Sequence, residues 1–100
     1  MVDMNQKILK IRLMGVVRDK WESKFLEIPE MGTNTKFIEI LQYLSKEIGE
    51  IFWEFFDKDY SPKRGIIIMI DEVDYKVKGG SDAVISTRSQ ITILSAIHGG

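Results

Sequence analysis

The residues with the clearest chemical potential stand at the end of the chain, where His98 is followed by Gly99, Gly100 and a free carboxylate. Before them runs Ile91-Thr92-Ile93-Leu94-Ser95-Ala96-Ile97, an aliphatic and β-branched stretch that predicts a strand. Glycine has no Cβ, so an extended Gly-Gly tail can enter a narrow channel and present its carboxylate to a reaction. A diglycine acyl group carried on a packed strand suits a protein whose C-terminus is itself the reacting group. Taken by itself, the dipeptide favours a plainer reading, an unstructured tail, because two residues make a motif of low specificity.

Composition narrows the chemistry further. One hundred residues suffice for one domain with a single core, and 44% hydrophobic with 29% charged residues is ordinary globular composition. Fourteen basic against fifteen acidic residues leave a net charge of −1, which argues against a general nucleic-acid or membrane-surface binder. The chain has no cysteine and one histidine. Disulfides, thiolate nucleophiles, Cys-ligated metals and multi-His metal centres are therefore excluded. No apolar run approaches the ~18 residues of a membrane span. The first residues lack the basic and apolar regions of a signal peptide. The expectation is a soluble cytoplasmic protein without catalytic machinery of its own.

The elements that must carry the tail follow from periodicity. Residues 7–14 alternate, with Leu9, Ile11 and Leu13 on one face and Lys10 and Arg12 on the other, the period of a half-buried strand. Gly15 ends it, and the charged residues 16–23 read as a loose hairpin connection. Residues 24–28 are the return strand, with Leu26 and Ile28 inward and Pro29 stopping it. Asn34 or Thr35 offers an N-cap for a helix on which Phe37, Ile40, Leu41, Leu44 and Ile48 share a face, and Gly49 suits its C-terminus. Residues 50–60 hold Ile51, Phe52, Trp53, Phe55 and Phe56, consistent with either a helical face or a short extended segment. Without interleaved Lys and Arg, this aromatic cluster favours core packing over base stacking.

Residues 66–70, Ile-Ile-Ile-Met-Ile, predict a strand covered on both sides or paired in mid-sheet. Asp71, Glu72 and Asp74 make an acidic corner, read as a solvated turn in preference to a cation site. Residues 75–77 suggest a short edge strand, and Gly79-Gly80 a turn. Ile85 drops into the core, and residues 86–90 turn the chain into the final strand. The order is strand, strand, helix, strand, short strand, strand. A main helix across one face of a mixed sheet of four or five strands accounts for it. If first and last strands pair side by side they must run parallel, with the hairpin and helix as crossover. The fold class is α+β with β-grasp topology: residues 1–97 form the domain and residues 98–100 its tail. The sheet keeps its second face for a partner, and the last strand delivers the tail from the sheet's middle.

The C-terminal third carries a resemblance. Pro62-x-x-Gly65-Ile66-Ile67-Ile68-Met69-Ile70-Asp71-x-Val73-Asp74-Tyr75, then Gly79-Gly80-Ser81-Asp82, then residues 91–100 ending in His98-Gly99-Gly100, resembles the ubiquitin-related modifier family. The likeness is close over residues 62–100 and looser over 7–48, where only the order of elements fits. Related families are the molybdopterin synthase small subunit, the thiamine-pathway sulfur carrier and the archaeal small modifiers, all ending in diglycine. Molybdopterin members usually carry a small apolar residue before it, so His98 favours the ubiquitin-related modifier branch. Residues 86–90, Ser-Thr-Arg-Ser-Gln, depart from the acidic turn usual in the family.

The resemblance implies a division of labour. A free carboxylate is a poor acyl donor, so a ubiquitin-activating-type partner enzyme would use ATP to adenylate Gly100. A persulfide sulfur would then convert it to a thiocarboxylate that donates sulfur, with a tRNA-thiolating enzyme acting on wobble uridine as the expected acceptor. Alternatively, a cysteine thiolate and then a lysine amine of a target protein would give an isopeptide conjugate. No cofactor is expected on this chain, which would be carrier rather than enzyme and monomeric by itself. Gly99 and His98 would be recognition residues for the tail, His98 more as a grip for the partner's groove than as an acid–base aid. Two other readings stand beside this one. In one the chain is the small subunit of molybdopterin synthase, and in the other a β-grasp interaction module whose diglycine is inert.

Overall fold

The alternation at the start of the chain becomes β1 (Ile8–Met14), which buries Leu9, Ile11 and Leu13 and exposes the residues between them. A computed structural model describes residues 8–96. β1 pairs antiparallel with β2 (Phe25–Pro29) and parallel with β7 (Ile91–Ser95), the final strand. β7 in turn pairs antiparallel with β4 (Ile66–Ile70), and β4 with the two-residue β5 (Val73–Asp74). The sheet order β2-β1-β7-β4-β5 puts the last strand in the middle, parallel to β1 on one side and antiparallel to β4 on the other. The fold is an α+β β-grasp.

The main helix, α2 (Phe37–Ile48), covers one face of this sheet and buries Phe37, Ile40, Leu41 and Leu44 at helical spacing. Gly49 closes it at φ 80°, ψ −145°, a backbone region that side chains resist. The N-cap is neither Asn34 nor Thr35. Residues 35–36 form β3 (Thr35–Lys36), paired with β6 (Val84–Ile85), and Lys36 is the extended capping residue. Its backbone N–H donates to Glu39 Oε1 at 2.8 Å, and the Phe37 N–H to the Ala83 carbonyl at 2.8 Å. The residue just before β6 thus accepts from the first helical N–H, the Glu39 side chain reaches back to the capping residue, and the Thr35 hydroxyl donates to the Gly32 carbonyl at 3.0 Å.

Three further expectations are corrected. The supposed hairpin connection holds a short helix, α1 (Val16–Lys20). Val17 and Trp21, one turn apart, are its core anchors, both buried. Residues 49–54 form a 3-10 helix, not an α-helical face or an extended segment, so Ile51 points outward while Phe52, Phe55 and Phe56 point in. Phe52 and Phe56 stack with ring centroids 4.6 Å apart, and Trp21 lies 6.0 Å from Phe52. The aromatic cluster is core packing. Residues 75–78 are likewise a 3-10 helix, capped by Asp74 Oδ1 accepting from the Lys76 N–H at 2.8 Å. The edge strand falls two residues earlier than the sequence suggests.

The acidic corner is a two-residue hairpin turn. Asp71 (φ 53°) and Glu72 (φ 69°) both take left-handed conformations, the pair that matches the twist of the flanking strands. Asp71 also ties the turn to the approach to β7. Its N–H donates to the Gln90 carbonyl at 2.8 Å, and its Oδ1 accepts from the Gln90 N–H at 3.0 Å. β4 is paired on both edges but covered on one face alone: Ile68 and Ile70 are buried, and Ile67 is exposed.

Candidate functional site

The strand that bears the diglycine is held on both sides up to its end. On the β4 side, Ile66 pairs with Ser95, and the Ala96 N–H donates to the Gly65 carbonyl at 2.8 Å. On the β1 side, Gly15 turns the chain from β1 into α1 at φ 76°, directly against Ser95. A Cβ on Gly15 would stand 2.5 Å from the Ser95 carbonyl oxygen, inside any tolerable contact. Gly15, read from sequence as a mere strand terminator, therefore permits the closest backbone approach beside the tail. The signal was a glycine at the end of a strand predicted to pair with the last one.

Gly15→Ala should lower stability by more than about 1 kcal/mol, from left-handed strain and from the displaced Ser95 backbone together. Denaturant melts check this, and an unchanged midpoint would mean that the corner relaxes without moving β7.

The three predicted site residues, His98, Gly99 and Gly100, lie outside the described residues, as does Ile97. What the structure places is the platform from which they continue. The face of the sheet opposite α2 is uncovered, and strand register sorts its side chains into rows. The row beside the tail is apolar: Ile67 on β4, Leu94 on β7 and Met14 on β1. The next runs Met69, Thr92, Arg12 and Phe25. Beyond it stand Lys10 and, opposite on β2, Glu27. Rows lie two residues apart along each strand, or about 7 Å.

Along this face runs a trough of about 580 Å³, lined from Met14 in the row beside the tail through Phe25, Met69 and Arg12 to Lys10 and Ile8, with Arg88 and Glu72 also contributing. A second cleft of about 300 Å³ opens between the loop after β2 and the strand β6, floored by Leu9, Ile28, Ile40 and Ile85. Among the described residues, three titratable groups are moved from their usual range, and none belongs to the open face. Asp59 is lowered by hydrogen bonds from Ser61, Tyr43 is raised by Glu47, and Tyr75 is raised chiefly by burial. Among the described residues no group of His, Cys, Asp or Glu could hold a metal ion, and no helix is long and apolar enough to cross a membrane.

Known proteins share this fold. The chain is 32% identical over 47 residues to a ubiquitin-related modifier 1 homolog of Chlamydomonas reinhardtii. That stretch is 47% of this chain and 48% of the relative, so the match spans about half the length of the curated relative. The solution structure of Urm1 from Trypanosoma brucei superposes with a TM-score of 0.77 at 18% identity, covering 98% of this chain and all of that one. A chain of the Amycolatopsis orientalis BexX/CysO complex superposes with a TM-score of 0.68 at 20% identity, over 92% of this chain and 99% of its own. At these identities the structural likeness shows the fold alone. The sequence model of the ubiquitin related modifiers, however, matches residues 10–100, nearly the whole chain and both glycines. This chain belongs to the ubiquitin-related modifier family.

Proposed function

We propose that the protein is a sulfur carrier and ubiquitin-like modifier whose reacting group is the Gly100 carboxylate. The observation that carries the reading is the family match running through the diglycine, on a strand anchored in mid-sheet as far as Ala96. Four residues follow Ala96. Extended, they reach at most about 14 Å, enough to enter a channel in a partner while the sheet stays outside.

A carboxylate oxygen of Gly100 attacks the α-phosphorus of ATP bound by the partner enzyme, and pyrophosphate leaves. A persulfide sulfur on a partner attacks the acyl carbon of the adenylate and expels AMP. A second partner thiolate then takes the inner sulfur of the resulting acyl disulfide, forming a disulfide and releasing the thiocarboxylate. This chain supplies no acid, base or nucleophile other than the carboxylate itself, which agrees with its lack of cysteine. His98 and Gly99 serve as the grip by which the partner's groove recognises the tail. The protein works in the cytoplasm, monomeric and without a bound cofactor. Its sulfur goes to a tRNA-thiolating enzyme, and conjugation to lysines of target proteins is a second fate of the same activated tail.

The test is the intact mass of the protein purified from its own host, together with deletion of its gene. A fraction of the protein should be heavier by the difference between one sulfur and one oxygen atom. The deletion should lower thiolation of wobble uridine in tRNA while molybdoenzyme activity persists. Normal tRNA thiolation with lost molybdoenzyme activity would make it the small subunit of molybdopterin synthase. No thiocarboxylate, adenylate or conjugate in any growth condition would leave an inert diglycine on an interaction module.

A further inference from the structure

The chain's two prolines follow Ile28 and Ser61, so Ser61-Pro62 is the single place where a hydroxyl side chain precedes a proline. Lys63 and Arg64 come next. Ser61 is exposed and closes a tight turn. The Asp57 N–H donates to the Ser61 carbonyl at 2.8 Å, the Tyr60 N–H to the Asp57 carbonyl at 2.8 Å, and the Ser61 N–H to Asp59 Oδ1 at 3.0 Å. Tyr60 takes a left-handed conformation at φ 67°, which an aromatic residue resists. The turn therefore carries two exposed carboxylates before the serine and two exposed cations after it. The described ion pairs lie elsewhere, and neither Lys63 nor Arg64 has a carboxylate partner among the described residues. The chain then runs to the base of the tail. Pro62 bridges Phe56, the Lys63 N–H donates to the Phe55 carbonyl at 2.9 Å, and the Ile66 N–H to the Lys63 carbonyl at 3.0 Å. That last bond closes a second turn with Arg64 and Gly65 at its corner, and the Gly65 carbonyl is the one that accepts from Ala96.

We propose that Ser61 is a phosphorylation site for a proline-directed serine kinase, and that the phosphate loosens the hold of this segment on the tail strand at Ala96. Ser61 Oγ attacks the γ-phosphorus of ATP bound by the kinase. The bond to the β–γ bridging oxygen breaks, ADP leaves, and the hydroxyl proton passes to the kinase's base. Recognition follows from the missing donor. A kinase groove with no acceptor opposite the residue after the serine strands a buried N–H there, and proline alone has none to strand. Arg64, three residues after the acceptor, adds a charge for an acidic pocket of the same groove. The site does not depend on the carrier reading, but its consequence for adenylation does.

The effect on the tail follows from charge. A phosphoserine brings about −1.5 to −2 at pH 7 to a turn that already holds Asp57 and Asp59. Repelled on that side, the phosphate is drawn to Lys63 and Arg64, and the Asp57–Ser61 turn opens. Opening also releases the left-handed Tyr60. Because Arg64 and Gly65 share one corner, a phosphate that draws Arg64 turns the Gly65 carbonyl away from the Ala96 N–H. Other serines are already engaged and precede no proline: Ser23 donates to the Phe25 carbonyl, Ser45 to the Gln42 carbonyl, and Ser86 and Ser89 bond within one turn.

The test is phosphorylation of the full chain by a purified proline-directed serine kinase with Mg-ATP, followed by amide hydrogen exchange and pyrophosphate exchange. One phosphoryl group per chain should enter, on Ser61, and none should enter Ser61→Ala. Pro62→Ala should be phosphorylated at least about tenfold more slowly, the penalty of one unpaired N–H. Should Pro62→Ala not fold, Arg64→Gln should be slowed in the same sense. In the phosphorylated chain the Ala96 amide should exchange at least about tenfold faster than in the unmodified one, while the Ile93 amide in mid-strand keeps its rate. With the host's adenylating enzyme the phosphorylated chain should show a raised KM. No phosphoryl group on Ser61, folded variants labelled as fast as wild type, or an Ala96 amide indifferent to the phosphate would each overturn the proposal. Unmodified wild type that supports no pyrophosphate exchange would instead bring down the carrier reading, and the labelling and amide measurements would still decide the site.

Discussion

Removing Gly100, or adding one residue after it, should abolish pyrophosphate exchange with the adenylating enzyme while leaving the melting transition where it was. The chemical half of this expectation is geometric. One residue moves the carboxylate by about 3.5 Å along an extended chain. In-line attack on a phosphorus requires reacting atoms about 3–3.5 Å apart, and a misplacement of only ~1 Å can cost two orders of magnitude in rate. The structural half concerns what the fold leans on. β7 is anchored by its pairing with β1 and β4 through Ser95, and by the Ala96–Gly65 hydrogen bond, all upstream of the change. Chain termini as a rule contribute little to stability, and the change falls four residues after Ala96. Exchange by the truncated chain at the wild-type rate would remove the carboxylate from the chemistry and sink the carrier reading.

The largest effect on stability is expected at the centre of the sheet. Ile68 and Ile93 face one another in register across β4 and β7, and are 1% and 0% exposed. Both belong to the buried core cluster that includes the apolar face of α2, where a side chain cut back to Ala leaves a cavity as well as losing transfer free energy. Ile68→Ala and Ile93→Ala should each cost about 2–5 kcal/mol. Small domains are stable by only about 5–15 kcal/mol, so either change consumes a large share of the total. Because the two side chains touch the same space, the double variant should not lose the sum of both. Denaturant melts decide the matter, and a loss well under ~1 kcal/mol at both positions would mean that the β4–β7 pairing is wrongly placed.

The long elements and their order can be read from the residues before any fold is known. β1, α2 and β7 each show a period that persists for several residues, so burial of one face had a single solution. Connectivity required β1 and β7 to run parallel if they paired, and the fold shows that they do. The Gly99-Gly100 tail was weak evidence by itself, and its proposed role as a reactant came from the family resemblance over residues 62–100.

The short elements depend on contacts that exist in the folded chain alone. α1 is five residues with two apolar anchors, too short for its period to outweigh its charge. The start of α2 is set by β3 pairing with β6, a contact between residues about fifty apart in the chain. Residues 75–78 turn as a 3-10 helix because Asp74 captures the Lys76 N–H, where propensity favoured a strand. The open face shows the same limit. Alternation in β1 placed Lys10 and Arg12 outward, but their neighbours depend on register across four strands, and register is fixed by the buried side alone. The closeness of Gly15 to Ser95 belongs here too, since whether a glycine is merely permissive or sterically required depends on what the folded chain sets against it.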